Sequence, residues 1–350
     1  MAIDRSIKLP NSVQSYISLY IFLLEIAMIL ILSNKHDISV DYVVRLLLKT
    51  KRNFLRINAE DLLHRNVSVT FPKFSYRIGK KSVNYDLVYE LGSVWFRRPG
   101  KPFEFAPKES RPSDTVVSFV ENQWHAFIEG IKCIDNVFWV NDPDKNYIAE
   151  NKIFQLKLAQ KIGLQIPKTC ITTDKEELIQ FKDRCGGKIV AKALYSPLIE
   201  EQDKDYFIFT TKFTESVENI SKREFGLAPT IFQELLTNKT DYRLTIIGDN
   251  CFSVKVIRES NKGISDDWRI IKEGLKFQPS ELPSNVIDKC IEMVKELGLV
   301  FGAIDLVKTS DGFYFLEINP NGEWAWLQKE SRLPIAETLV DYLVNGDVKN

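Results

Sequence analysis

Cysteine and histidine are scarce in this chain of 350 residues, and neither clusters. The five cysteines (Cys133, Cys170, Cys185, Cys251 and Cys290) are odd in number and widely scattered. That usage excludes a disulfide framework or a structural zinc site and fits a reducing cytoplasm. The three histidines, His36, His64 and His125, stand alone and read as structural or surface residues. An excess of charge is also missing: 47 basic residues balance 47 acidic ones. Nothing therefore points to nucleic acid as a partner, although a local basic pocket is compatible with that balance. A credible Ser–His–Asp or Cys–His set is lacking, and no glycine occurs between Ala193 and Lys212, which excludes a glycine-rich phosphate lid there.

A long apolar run is nearly present. Tyr16 to Leu32 is broken by Ser18 and Glu25, whereas a membrane helix needs about 20 apolar residues. A signal peptide would need a small-residue cleavage site after the run. Its second half, MILILSNKHDIS from Met28, reads instead as a buried strand, a turn and a helix. The first domain is expected to begin at Met28, with residues 1–27 an extension whose presence in the native protein is left open and a membrane role disfavoured.

What is there is ordinary globular composition, 44% hydrophobic and 27% charged, with length for two or three domains. Strand-like and helix-like runs alternate, so the class is α/β and α+β. Strands are expected at 28–33, 53–57, 67–71 and 93–97, and helices at 38–49 and 113–132 with Ser113 as N-cap. This α/β domain spans 28–142. Asp142 and Pro143 then open a helix running to about Lys161 and stopped by Gly163. A strand at 169–171, a helix at 174–184, a strand at 188–193 and the apolar strand IFQELL at 231–236 follow. The last third carries hairpins at 240–258 and 301–319, separated by a helix at 283–297 that Gly298 closes. The resulting division is 28–142, 143–232 and 233–345.

The segment FGAIDLVKTSDGFYFLEINPNG carries the most chemistry. A turn centred on Asp311 sets Asp305 opposite Glu317, and strand alternation puts Asn319 on the same face. Val307, Phe313 and Phe315 are expected to share that face and partly bury it. Facing carboxylates repel unless a cation sits between them, and Mg²⁺ prefers hard oxygen ligands of this kind. The competing reading is a solvated polar face. In the other hairpin, a turn centred on Asp249 would set Arg243 opposite Lys255, a pair of cations suited to an anion between them; a register slip of one residue would dissolve the pair. Lys192, among apolar neighbours in KIVAKAL, calls for an anionic partner such as phosphate. Lys152 is ambiguous by itself. Gln233 and Glu234 near the end of IFQELL suit either a nucleotide hinge or a plain strand end.

Taken in order, Lys152, Lys192, FQELL, Asp241 with Arg243, Lys255, Asp305 and FLEINPNG resemble the ATP-grasp superfamily. With VWFRRPG, ENQWHAFIEG and LEINPNGEWAWL, the chain over about 28–345 is similar to ATP-grasp ligases that mature ribosomal peptides of the microviridin or graspetide type. The resemblance implies an α/β pre-ATP-grasp domain followed by two α+β subdomains, 143–232 and 233–345, that grip ATP. It implies that Lys152 and Lys192 contact phosphates and that Gln233, Glu234 and Leu235 line the adenine and ribose pocket. Arg243 would stabilise an acyl phosphate, with Lys255 and Arg269 as further catalytic groups, and Asp305, Glu317 and Asn319 would hold two Mg²⁺ ions. Asp241 either orients Arg243 or binds substrate. Arg97 and Arg98 are balanced between ligand contact and a place in core and surface.

The expected activity is ATP- and Mg²⁺-dependent closure of ester or amide links in a precursor peptide with leader and core segments. Core Asp or Glu carboxylates would be joined to Thr or Ser hydroxyls or to Lys amines. A small-molecule amino-acid or glutathione-like ligase is the alternative, and a nucleotide-binding protein without turnover a more distant one. A homodimer is left open.

Overall fold

The computed structural model describes residues 27–195, 198–200, 205–207, 210–214, 217, 221–258, 268 and 274–346. Nearly all of the expected N-terminal extension lies outside the described residues. Among those described, no helix is long and apolar enough to cross a membrane. The chain divides into two compact units, Met1–Pro143 with Ala336–Asn350, and Asp144–Ile335.

The first unit is built on a parallel sheet. β1 (Met28–Ser33) is flanked by β2 (Phe54–Asn58) after helix α1 (Ile38–Lys49). Three strands, β3 (Asn66–Thr70), β4 (Ser75–Lys80) and β5 (Val83–Asp86), form a separate antiparallel sheet. β6 (Leu91–Phe96), helix α2 (Asp114–Glu129) and β7 (Phe138–Val140) complete the main sheet in the order β2-β1-β6-β7. All six residues of β1 are buried, as a strand covered on both faces requires. Met28, Leu30 and Leu32 pack with Leu55, Ile57 and Val94. Arg97, just past β6, is structural: its side chain is 2% exposed and its Nε lies 2.9 Å from Asp37 Oδ2. Asp37 in turn caps α1, its Oδ1 accepting from the Val40 amide at 3.3 Å.

The second unit opens with two helices where one was expected. α3 (Pro143–Ala149) ends before α4 (Lys152–Lys161) because Asn151 caps the latter, its Oδ1 accepting from the amides of Ile153 and Phe154 at 3.0 and 3.1 Å. Gly163, at φ 76°, stops α4 as expected. β8 (Thr169–Thr172), α5 (Lys175–Arg184) and β9 (Ile189–Lys192) follow. β10 (Leu198–Glu200) pairs with β11 (Asp205–Phe207), and β12 (Thr211–Lys212) and β13 (Thr230–Glu234) complete a sheet ordered β12-β9-β13-β8. Its core side packs Ile189 and Phe232 on Leu178 and Phe181 of α5.

A second, five-stranded antiparallel sheet comprises β14 (Thr240–Ile247), β15 (Asn250–Arg258), β16 (Leu275–Pro279), β17 (Phe301–Thr309) and β18 (Gly312–Asn319), ordered β16-β15-β14-β17-β18. Helix α6 (Ser284–Glu296) precedes β17 and covers one face, where Cys290, Met293 and Val294 meet Leu244, Ile246, Ile304 and Phe315. The other face carries Asp241, Arg243, Asp305 and Glu317, all buried. Helix α7 (Ala325–Ser331) follows the NPNG turn.

Candidate active site

The β17–β18 hairpin aligns Asp305 with Glu317 and Ala303 with Asn319, as expected, but by a different route. Its turn is two residues, Ser310 and Asp311, so Thr309 pairs with Gly312 and Leu306 with Phe315. Gly312 sits at φ 131°, which favours glycine. A bulge then inserts Leu316 as an extra residue and moves the register by one. Leu316 and Glu317 therefore both line one cleft. Across the bulge the alternation inverts. Phe315 is fully buried with Leu306 and Ile318 on the α6 side, and Phe313 packs against that same core. The expectation that Phe313 and Phe315 share the carboxylate face is thus corrected, while Val307 does line the cleft.

No bulge rescues the other register. The β14–β15 turn is also two residues, so Tyr242 pairs with Lys255 and Arg243 with Val254. The expected Arg243–Lys255 pair does not form, because a shift of one residue sends the two side chains to opposite faces. Arg243 instead faces Asp305 on β17, with Nη1 2.9 Å from Oδ2.

The cleft lies between the two sheets of the second unit. Among the expected residues, Lys192, Gln233, Glu234, Leu235, Asp241, Asp305 and Glu317 line it. Lys152 heads α4 with its Nζ 3.7 Å from Glu317 Oε2, and Arg243 pairs with Asp305 from the neighbouring strand on the same face. Asn319 occupies the next cleft-side position on β18, opposite Ala303. Lys255 lies on the other face, and Arg269 lies outside the described residues.

The hinge side chains are engaged in holding the strand end. Gln233 is 2% exposed and donates to Thr169 Oγ1 at 2.9 Å. Glu234 accepts from the Lys168 amide at 2.9 Å, while the Leu235 amide donates to Lys188 O at 2.9 Å. Asp241 holds a residue not anticipated from the sequence, Lys239, whose Nζ lies 2.6 and 2.7 Å from its two oxygens. Opposite charges two apart on an extended strand share a face, and that spacing was the available signal. Lys212 and Trp268 also line the cleft; the sequence around them carries no comparable pattern.

Among the described residues, no group of three or more His, Cys, Asp or Glu side chains could hold a metal ion. The donor set that fits a hard cation is smaller: two facing carboxylates, Asp305 and Glu317, with the Asn319 amide beside them. Oxygen-only donors of this kind suit Mg²⁺ that keeps further positions for phosphate or water.

Residues 149–343, more than half of the chain, match the RimK-like ATP-grasp domain. The chain belongs to the RimK-like ATP-grasp family. It is thus an ATP-grasp ligase, of a group that generally uses ATP and Mg²⁺. Its relatives include the tetrahydromethanopterin:α-L-glutamate ligase of Methanocaldococcus jannaschii, 22% identical over 59% of this chain and 69% of that one. The corresponding Methanococcus maripaludis enzyme is 25% identical over 66% and 80%. Among solved structures, macrocyclase MdnC of Microcystis aeruginosa MRC, bound with precursor peptide MdnA, shares the fold with a TM-score of 0.79 at 24% identity, covering 91% of this chain and 99% of that chain. A RiPP-associated ATP-grasp ligase of Chryseobacterium gregarium, in complex with ADP and a leader and core peptide, gives 0.78 at 25% identity over 91% and 96%.

Proposed function

We propose that this ATP-grasp ligase is a cytoplasmic peptide macrocyclase that joins Asp or Glu side chains of a ribosomal precursor to Thr, Ser or Lys. The observation that carries the reading is likeness along almost the whole chain, 91% of it, to a ligase solved with leader and core peptide. The five scattered cysteines are compatible with a reducing compartment.

In this reading, 143–232 and 233–345 grip ATP. The strand end Gln233–Leu235 receives the adenine and ribose, and Lys152 and Lys192 meet the phosphates, with Lys212 and Lys239 adding positive charge to the cleft. Asp305, Glu317 and Asn319 would hold Mg²⁺, two ions in our reading, which when bound neutralises phosphate charge. The γ-phosphoryl group passes from ATP to the core carboxylate, giving ADP and an acyl phosphate. A hydroxyl or amine then attacks that carbonyl, phosphate leaves and the nucleophile's proton is released. Arg243, buried beside Asp305, would stabilise the acyl phosphate charge. Asp241 orients Lys239. Arg269 remains assigned as a secondary catalytic group, whereas Lys255, on the far face of the sheet, is given no direct role.

Incubation with ATP, Mg²⁺ and a candidate precursor should yield successive losses of water by mass spectrometry. ADP release with unchanged peptide mass would remove the macrocyclase reading and favour the small-molecule one, which the glutamate-ligase relatives support. Glu317→Gln should abolish turnover while the fold persists; near-normal turnover would overturn the metal assignment.

A further inference from the structure

We infer that Gln155 is a positioning residue that fixes the aim of Glu317 and Asn319, an inference that rests on reading those two side chains as magnesium ligands. β18 is an edge strand, so alternate backbone groups point away from β17 and need partners. At Ile318, the residue between Glu317 and Asn319, one buried side chain supplies both. The Gln155 amide is 2% exposed. Its Oε1 accepts from the Ile318 amide at 3.1 Å, and its Nε2 donates to the Ile318 carbonyl at 2.9 Å. The same Nε2 donates to the Ala149 carbonyl at 2.7 Å, at the end of α3.

Gln155 stands three residues after Lys152 on α4, so the two share a helix face. One glutamine thereby ties three things together: the end of α3, the helix that carries Lys152, and the backbone between the two ligand side chains. The bulge at Leu316 has just broken the regular ladder on the other edge of this strand. A strand so interrupted has fewer ladder bonds to hold its twist, and the glutamine restores a fixed point one residue beyond Glu317. Outer groups of this sort govern how metal ligands point, and their loss costs about 10–100-fold in metal affinity.

The test is a titration of Mn²⁺, as an EPR-visible substitute for Mg²⁺, into the protein in the presence of ADP, using wild type, Gln155→Met and Gln155→Glu. Gln155→Met removes all three hydrogen bonds at similar volume. Gln155→Glu keeps an acceptor for the Ile318 amide but loses both donations, and serves if the first variant does not fold. Leu158→Ala, at a buried position on the same helix, controls for mere loss of stability. The expected result is Mn²⁺ affinity weakened about tenfold or more in the Gln155 variants and unchanged in Leu158→Ala. The Mg²⁺ needed for half-maximal ATP turnover should rise in parallel. Equal Mn²⁺ affinity in wild type and either folded Gln155 variant overturns the inference and leaves the metal reading standing. Absence of ADP-dependent Mn²⁺ binding in wild type overturns both.

Discussion

Arg243 and Asp305 form a buried ion pair across β14 and β17, Nη1 to Oδ2 at 2.9 Å, with side chains 7% and 10% exposed. The Arg243 Nε is buried with no hydrogen-bond partner. An uncompensated donor at this depth is costly. Replacing the arginine strips a buried carboxylate of its cation, so Arg243→Met should lose about 3–5 kcal/mol of stability. Its ATP-dependent turnover should fall by at least about 10²-fold. Arg243→Lys keeps charge without the planar fork and should recover part of the stability but little of the turnover. Urea titrations alongside ADP release separate the two effects; full turnover in Arg243→Lys would deny the guanidinium any directional role.

The glycine of NPNG exists for the same arginine. A Cβ on Gly322 would lie 2.3 Å from Ala303 Cβ and 2.6 Å from Arg243 Nη2. The Ala303 methyl belongs to β17 and has no rotamer by which to retreat. Gly322→Ala should therefore cost about 1–3 kcal/mol by overpacking and disturb Arg243 at the same time. Adding Ala303→Gly should restore part of the stability. Thermal melts of the single and double variants check this, and additive losses in the double variant would refute the proposed contact.

The carboxylate pair was legible because two errors cancelled. A turn centred on Asp311 is half a residue from the observed two-residue turn, and the bulge at Leu316 returns the register at Asp305 and Glu317. Bulges leave little mark in a single sequence, so the parity change that buries Phe315 on the α6 side could not be read. The same turn error stood uncorrected in β14–β15 and misplaced Lys255. Asn151 has the chemistry of an N-cap, yet the apolar pattern of 143–161 runs through it, and the break between α3 and α4 was missed. Gln155 is hidden for another reason. Its partner is 163 residues away, and no local periodicity encodes so distant a hydrogen bond.

The corrected register distinguishes two lysines. Lys239 holds Asp241 at the cleft wall with its side chain 11% exposed, whereas Lys255 lies on the opposite face of β15 from the Arg243 partner Val254. Lys239→Met leaves the buried Asp241 without its bidentate cation and should reduce turnover at least about tenfold, with a measurable loss of stability. Lys255→Met should stay within about twofold of wild type, since a side chain on the far face acts only through the sheet. Steady-state ADP release decides it. A Lys255→Met loss larger than that of Lys239→Met would restore Lys255 to a direct role.

Thiol reactivity reports on the second unit as a whole. Cys290 is fully buried under the five-stranded sheet, and burial, with Cys251 nearby, raises its pKa far above the ordinary value. Burial likewise pushes Cys251 up to about 12. The thiolate is the reactive form, and at pH 8 a thiol of that pKa is ionised to only about one part in 10⁴. Cys133 is exposed and should react first with a thiol reagent. Cys290 should be labelled only through opening of the surrounding core, so its rate follows the population of the open state. If ATP with Mg²⁺ binds the folded unit, that population falls by the factor 1 + [L]/Kd. Saturating MgATP should therefore slow Cys290 labelling at least about tenfold while leaving Cys133, in the other unit, unchanged. Mass spectrometry of labelled peptides measures both sites in one sample. Equal slowing at Cys133 and Cys290 would mean that the nucleotide stabilises more than the unit containing the cleft.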